Sequence, residues 1–107
     1  MNIAEMMKQA KQMQTRMEEL QAQLAITEVE GVSGGGLVHV LMTCKGDVRA
    51  LKISPEIVNP SDVETLEDLV MAAVNMARQN ADSTMASETA RMMESMGLPP
   101  NFELPKF

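Results

Sequence analysis

Three consecutive glycines, Gly34-Gly35-Gly36, stand just before two runs of apolar and β-branched residues that end at Ser54. Few folds accommodate that order. Glycine permits a tight reversal of the backbone, and the runs on either side of Gly46-Asp47 read as strands. Gly46 at the first central position suits a two-residue type II′ hairpin turn. Pairing across that turn sets Met42 opposite Leu51 and Val40 opposite Ile53, an apolar face that requires helical cover. Leu41 then faces Lys52, and His39 faces Ser54. With Leu37 alongside, this second face is too apolar for plain solvent, so Leu37, Leu41 and Lys52 are expected at a dimer interface. A phosphate-binding glycine loop needs a strand before it, a helix N-terminus after it and a Lys-Ser/Thr pair. Here a strand follows Gly36 and no such pair is present. The triple glycine reads as a turn.

Helical patterns flank the hairpin. From Asn2 to about Leu24, Ile3, Met6, Ala10, Met13, Met17, Leu20 and Leu24 recur at steps of three and four, with no Gly or Pro among them. That is an a/d seam. A helix of this length runs about 33 Å, so it is expected to project beyond its sheet. The seam fits packing on its own domain, and it also fits an arm that pairs in part with another helix. Residues 25–31 alternate weakly, Thr27 and Val29 against Glu28 and Glu30, and are expected to form a first strand. After Asn59-Pro60, Ser61 and Glu64 have the spacing of a capping box, followed by an apolar stripe from Val63 to Ala77. Asn80 to Thr84 is poor in helix formers, which predicts a bend or break. The helical pattern resumes with Met85, Met92 and Met96 and stops at Gly97, before Pro99-Pro100. The tail carries Phe102, Leu104 and Phe107 and is expected to dock against the body.

The fold class is therefore α+β: a long N-terminal helix, a three-stranded antiparallel β-meander and one or two C-terminal helices. The 107 residues suffice for one domain, divided into a helical arm (1–24), a sheet (25–54), a helical region (61–96) and a tail (97–107).

Charge is unevenly placed. Up to Ser54 six acids balance six bases, whereas beyond it nine acids meet only Arg78, Arg91 and Lys106, so the whole excess of −6 lies there. An acidic total argues against nucleic acid, yet local clusters outweigh totals. No membrane span or signal peptide is recognisable, and the single Cys44 has no internal disulfide partner, which suits a cytoplasmic protein.

Catalytic and metal chemistry find little support. His39 and Cys44, the only imidazole and thiol, are five residues apart and fall on opposite faces of a strand. The adjacent carboxylates Glu18-Glu19 and Glu67-Asp68 read as solvated helix faces, not as a converging acid/base pair. The twelve methionines fall at core spacing on helix seams, although thioethers also suit Cu(I). No metal, cofactor or small-molecule substrate is expected. Lys8 and Lys11 lie away from the apolar seam, with Arg16 flanking it. At the end of a projecting helix they would be natural phosphate contacts, and the same spacing fits an ordinary solvated face. Aromatic stacking platforms and helix-turn-helix or zinc-finger signatures are absent, so any DNA contact would be to the backbone of a duplex.

Several segments carry a resemblance: Met7-Lys8-Gln9-Ala10, Gln12-Met13-Gln14, Gly36-Leu37-Val38-His39-Val40, Ile53-Ser54-Pro55, Leu66-Glu67-Asp68-Leu69-Val70-Met71-Ala72-Ala73 and Gly97-Leu98-Pro99-Pro100. In this order they resemble the YbaB/EbfC family of nucleoid-associated proteins. The resemblance implies a non-enzymatic, cytoplasmic, nucleoid-located homodimer that holds double-stranded DNA between helical arms with little sequence specificity, affecting chromosome organisation and gene expression. Carried over by position, Lys8, Lys11 and Arg16 lie on the first arm and Arg78 and Arg91 on the C-terminal helical region. The acidic C-terminal half ranks Arg91 and Arg78 last. The alternative is a protein–protein adaptor that engages partner helices through its methionine-rich seams.

Overall fold

The computed structural model describes residues 2–98. Helix α1 (Ile3–Ile26) leads into strand β1 (Glu28–Ser33), a 3-10 turn over Gly34–Gly36, strands β2 (Val38–Thr43) and β3 (Val48–Ile53), and helix α2 (Val63–Ser95). The strands form one antiparallel meander in the order β1-β2-β3. The expected tail contacts of Phe102, Leu104 and Phe107 lie outside the described residues. The body measures 70 × 22 × 18 Å, because both helices are far longer than the strands they flank.

Helix α1 begins where Asn2 accepts the Glu5 N–H at 2.8 Å, a side-chain N-cap. It extends two residues past Leu24 and takes the start of the expected first strand. The seam then divides. Met17 and Leu24 are buried and Leu20 is half-buried, whereas Ile3, Met6 and Met7 are exposed. Only the C-terminal half packs on its own chain, and the first four turns stand clear as an arm.

The hairpin turn differs from the expected one. Gly46 N–H donates to the Thr43 carbonyl at 2.9 Å, and Thr43 N–H donates to the Asp47 carbonyl at 2.8 Å. The loop is therefore Cys44-Lys45-Gly46, with Gly46 at φ 98°, a three-residue loop ending in a left-handed glycine. The Thr43 hydroxyl accepts the Asp47 N–H as well, which fixes the closing pair. Val40 consequently faces Leu51 and His39 faces Lys52, with an irregularity between Leu41 and Met42. Val40 and His39 are each two residues out of the expected register. A slip of two leaves Val38 to Leu41 and their partners on the expected faces, whereas past the irregularity Met42 pairs with Val48, three residues from the expected Leu51.

Helical cover reaches only part of the apolar set. Helix α2 lies over β1 and β2, burying Val38, Val40 and Met42 against Ala73, Ala77 and Ala81. The three alanines form one stripe, and Gly31 faces it. A methyl group built on Gly31 would come within 2.0 Å of the Ala73 carbonyl oxygen, so backbone meets backbone there with no side chain between. Ser33 Oγ donates to the Leu69 carbonyl at 2.5 Å, and Asn80 Nδ2 donates to the Glu30 carbonyl at 2.7 Å. Helix α2 thus covers the β1 edge. Strand β3 receives no such cover, and Leu51 is 47% exposed.

Helix α2 is one uninterrupted element of 33 residues, with no break at Asn80–Thr84. Ala81 is fully buried in the core, Asn80 holds β1, and Asp82 pairs with Arg78. These contacts outweigh poor intrinsic propensity. The N-cap is Asp62, not Ser61: Asp62 accepts from the Thr65 N–H at 3.4 Å and from its hydroxyl at 2.7 Å. The far end is a Schellman motif. Gly97, at φ 74°, donates to the Glu94 carbonyl, and Leu98 N–H donates to that of Met93 at 2.9 Å. Leu98 then packs on the cluster of Met17, Met92 and Met93 that joins the two helices.

Candidate nucleic-acid interface

Lys8, Lys11 and Arg16 all sit on the free part of α1, exposed, and form no ion pair among the described residues. One carboxylate, Glu5, accompanies them before Glu18. At 1.5 Å per residue, Lys8 and Arg16 are about 12 Å apart along the axis. That is several phosphate spacings of a duplex, counted on one strand. Lys8, Lys11 and Arg16 line the same open groove as Met6, Ala10 and Met13 of the seam and Met96 and Leu98 beyond α2. The arm is therefore a cationic rod in an otherwise acidic chain.

Arg78 and Arg91 are held differently. The Arg78 Nε lies 3.1 Å from an Asp82 oxygen, and the Arg91 Nη1 lies 3.1 Å from a Glu88 oxygen. Each is exposed, and each has its charge offset by a carboxylate one turn away. A phosphate approaching either one has to compete with that carboxylate.

Arg78 also adds something that spacing along the helix conceals. A side chain at Gly46 would meet the Arg78 guanidinium at 3.0 Å. The helix accordingly brings this arginine to the hairpin tip, where Lys45 and Asp47 on either side of Gly46 are exposed. Lys45 Nζ in turn donates to Gln21 Oε1 of α1. Arg78 meets the hairpin tip only through the fold, with Asp82 offsetting its charge.

The expected dimer residues lie at the uncovered side of the sheet. Leu37 and Leu41 are half-buried and Lys52 is exposed. His39 Nε2 stands 3.5 Å from a Glu30 carboxylate oxygen on the same open face.

The geometry offers no catalytic grouping. Cys44 is buried in the hairpin loop, and its N–H donates to the Thr27 carbonyl at 2.9 Å. Burial, and then the Glu88 charge, push its thiol above the ordinary value, so it stays protonated and unreactive near neutrality. No group of three or more His, Cys, Asp or Glu side chains among the described residues is placed to hold a metal ion. No described helix is long and apolar enough to cross a membrane.

Comparison with known proteins agrees with this picture. Residues 1–96 match the YbaB/EbfC DNA-binding family. A nucleoid-associated protein of Rhodospirillum centenum is 50% identical over 104 residues, covering 97% of both chains. A nucleoid-associated protein of Bradyrhizobium is 48% identical over 97 residues, covering 91% of this chain and 92% of its own. The fold is shared with an uncharacterized protein of Helicobacter pylori, with a TM-score of 0.75 at 20% identity over 87% of this chain and 98% of the other. The match over residues 1–96 and about half of all positions identical to nucleoid-associated proteins over nearly the whole length lead to one assignment: the chain belongs to the YbaB/EbfC DNA-binding family.

Proposed function

We propose that this protein is a nucleoid-associated homodimer that binds duplex DNA through its backbone, with little sequence preference, using the α1 arms. The observation that carries the proposal is the exposed set Lys8, Lys11 and Arg16, without an ion pair among the described residues, on the part of α1 that extends beyond its own sheet. Point charges on a smooth helix meet phosphates in any sequence, and no aromatic side chain is available on the described chain to read bases. Binding of this kind releases counterions. Three phosphate contacts per chain predict a slope of log K against log salt of about −2.7 per arm, and about −5 for two. A fluorescence-anisotropy titration on duplexes of unrelated sequence measures it. Affinity that is flat with salt, or confined to one sequence, overturns the reading.

Two copies are proposed to join on the β3 side of the sheet, burying Leu51 together with Leu37, Leu41 and Lys52. Support comes from the bare β3 edge and the exposed Leu51 beside a covered β1 edge, since unprotected edges and apolar patches are sites of association. Joining two arms raises affinity through effective concentration without any new contact. L51D places a carboxylate in that interface. It is expected to shift the sedimentation coefficient to that of a single chain at micromolar concentration and to weaken DNA binding in step. An unchanged sedimentation coefficient places the interface elsewhere.

A further inference from the structure

The a/d seam of α1 continues beyond its packing. At Met17 and Leu20 it meets Met92 and Met93 of α2. N-terminal to Met17 the same face carries Met13, Ala10, Met6 and Ile3, which rise about 15 Å along the axis, and α2 ends at Ser95. Met13 is half-buried, Met6 is 55% exposed and Ile3 75%. Between this part of α1 and the end of α2 lies an open groove of about 1020 Å³. Its apolar lining comes from Met6, Ala10 and Met13 on α1 and from Met96 and Leu98 on the other side.

The charge of the lining is one-sided. Lys8, Lys11 and Arg16 all line the groove, and no carboxylate among the described residues does. In a chain of 15 acids and nine bases, that is a local reversal of the balance, and it selects among occupants. A second copy's arm would bring the same three cations, and like charges oppose such a contact. Duplex phosphates answer the cations, but they give the thioethers and Leu98 nothing apolar to pack on. A short helix with apolar side chains on one face and carboxylates beside them answers both. Its apolar face would continue the packing that α2 leaves at Met17, and its carboxylates would reach Lys8, Lys11 and Arg16, as flanking charges do in helix pairs. Methionine side chains repack against varied apolar partners, so selection rests on charge and amphipathic order more than on shape.

We infer that this groove docks an acidic amphipathic helix of a partner protein, about ten residues long to match the open seam, and that the docked helix and duplex DNA exclude one another. The exclusion rests on the DNA-binding reading above, because both ligands use Lys8, Lys11 and Arg16. The docking does not.

A fluorescein-labelled helical peptide, with leucines at a and d and glutamates beside them, tests this on the full chain. It is expected to bind at micromolar concentration in the absence of DNA. A peptide of the same composition in scrambled order, and one with glutamine for every glutamate, are each expected to bind at least tenfold more weakly. M6Q/M96Q removes two thioethers from the groove and leaves its cations. It is expected to weaken the peptide at least tenfold and to bind duplex DNA as the parent does. Equal binding of the scrambled peptide would reduce the contact to charge alone and overturn the proposal. So would a failure of the first peptide to bind, or its unchanged binding to M6Q/M96Q. A lower sedimentation coefficient for M6Q/M96Q would assign the groove to a second copy and overturn it too. Saturating unlabelled peptide is expected to weaken DNA binding at least tenfold, and a ternary complex would overturn the exclusion. If the chain bound no DNA while the peptide results held, the DNA-binding reading alone would fall.

Discussion

K8E/K11E is expected to lose about 100-fold in affinity for duplex DNA at low salt, and to lose it equally for unrelated sequences. Each substitution removes a cation that has no ion pair among the described residues and puts an anion in its place. The arm, which has three cations against Glu5 before Glu18, becomes net negative. The salt dependence should flatten by about two per chain, since two phosphate contacts vanish. Both positions are solvent-exposed, so the melting temperature should stay within about 2 °C of the parent, as surface changes of this kind do. R78E is the informative comparison. Arg78 is already paired with Asp82 at 3.1 Å, so its reversal should cost distinctly less binding. If K8E/K11E bound as the parent does across a salt titration, the arm would have no part in DNA binding. If R78E were the more damaging, the hairpin tip would be the principal contact.

The elements of this fold were legible wherever local chemistry decides them. Gly97 ends its helix as capping rules require, because only glycine adopts φ 74° without strain, whereas the N-cap of α2 falls one residue past Ser61, at Asp62. The three strands were expected in their order, with the buried face of β2 following from alternation and β1 shifted to Glu28–Ser33 from the expected 25–31. What escaped was set by contacts distant in sequence. Asn80–Thr84 reads as a break because nothing local shows that Ala81 meets the sheet or that Asn80 reaches Glu30. The hairpin register escaped by two residues because Gly46 serves equally well at either of two turn positions, and the choice lies with Thr43, whose hydroxyl and N–H both hold Asp47. For the candidate site, the sequence places Lys8, Lys11 and Arg16 on one helix, whereas the pairing of Arg78 with Asp82 and of Arg91 with Glu88 emerges from the structure. So does the approach of Arg78 to Gly46, since 32 positions separate them. Leu51 was expected under a helix and is exposed, because α2 is one rod and covers two strands of three.

Gly31 is the position where one added methyl group should do most harm. G31A is expected to destabilise the fold by about 3 kcal/mol, lowering the melting temperature by roughly 15 °C for a domain of this size. The reason is not backbone conformation: Gly31 is absent from the positive-φ glycines of the described chain. It is space. The new carbon would lie 2.0 Å from the Ala73 carbonyl oxygen, 2.5 Å from the Ala77 nitrogen and 2.8 Å from the Ala77 methyl. Two of those three atoms belong to helix backbone, which cannot rotate aside. Relief requires α2 to lift from the sheet, and that opens the packing of Val38, Val40 and Met42 against the alanine stripe. Because α2 also carries Met92 and Met93 to α1, the lift would disturb the seating of the arm as well. G35A separates the two uses of glycine. A methyl group there meets nothing within 4 Å but must adopt φ 68°, at a cost of about 1 kcal/mol. Thermal unfolding followed by circular dichroism should therefore rank G31A well below G35A, and G35A slightly below the parent. Equal melting temperatures for G31A and the parent would mean that α2 does not approach β1 so closely, and the packing that orients both helices would have to be redrawn.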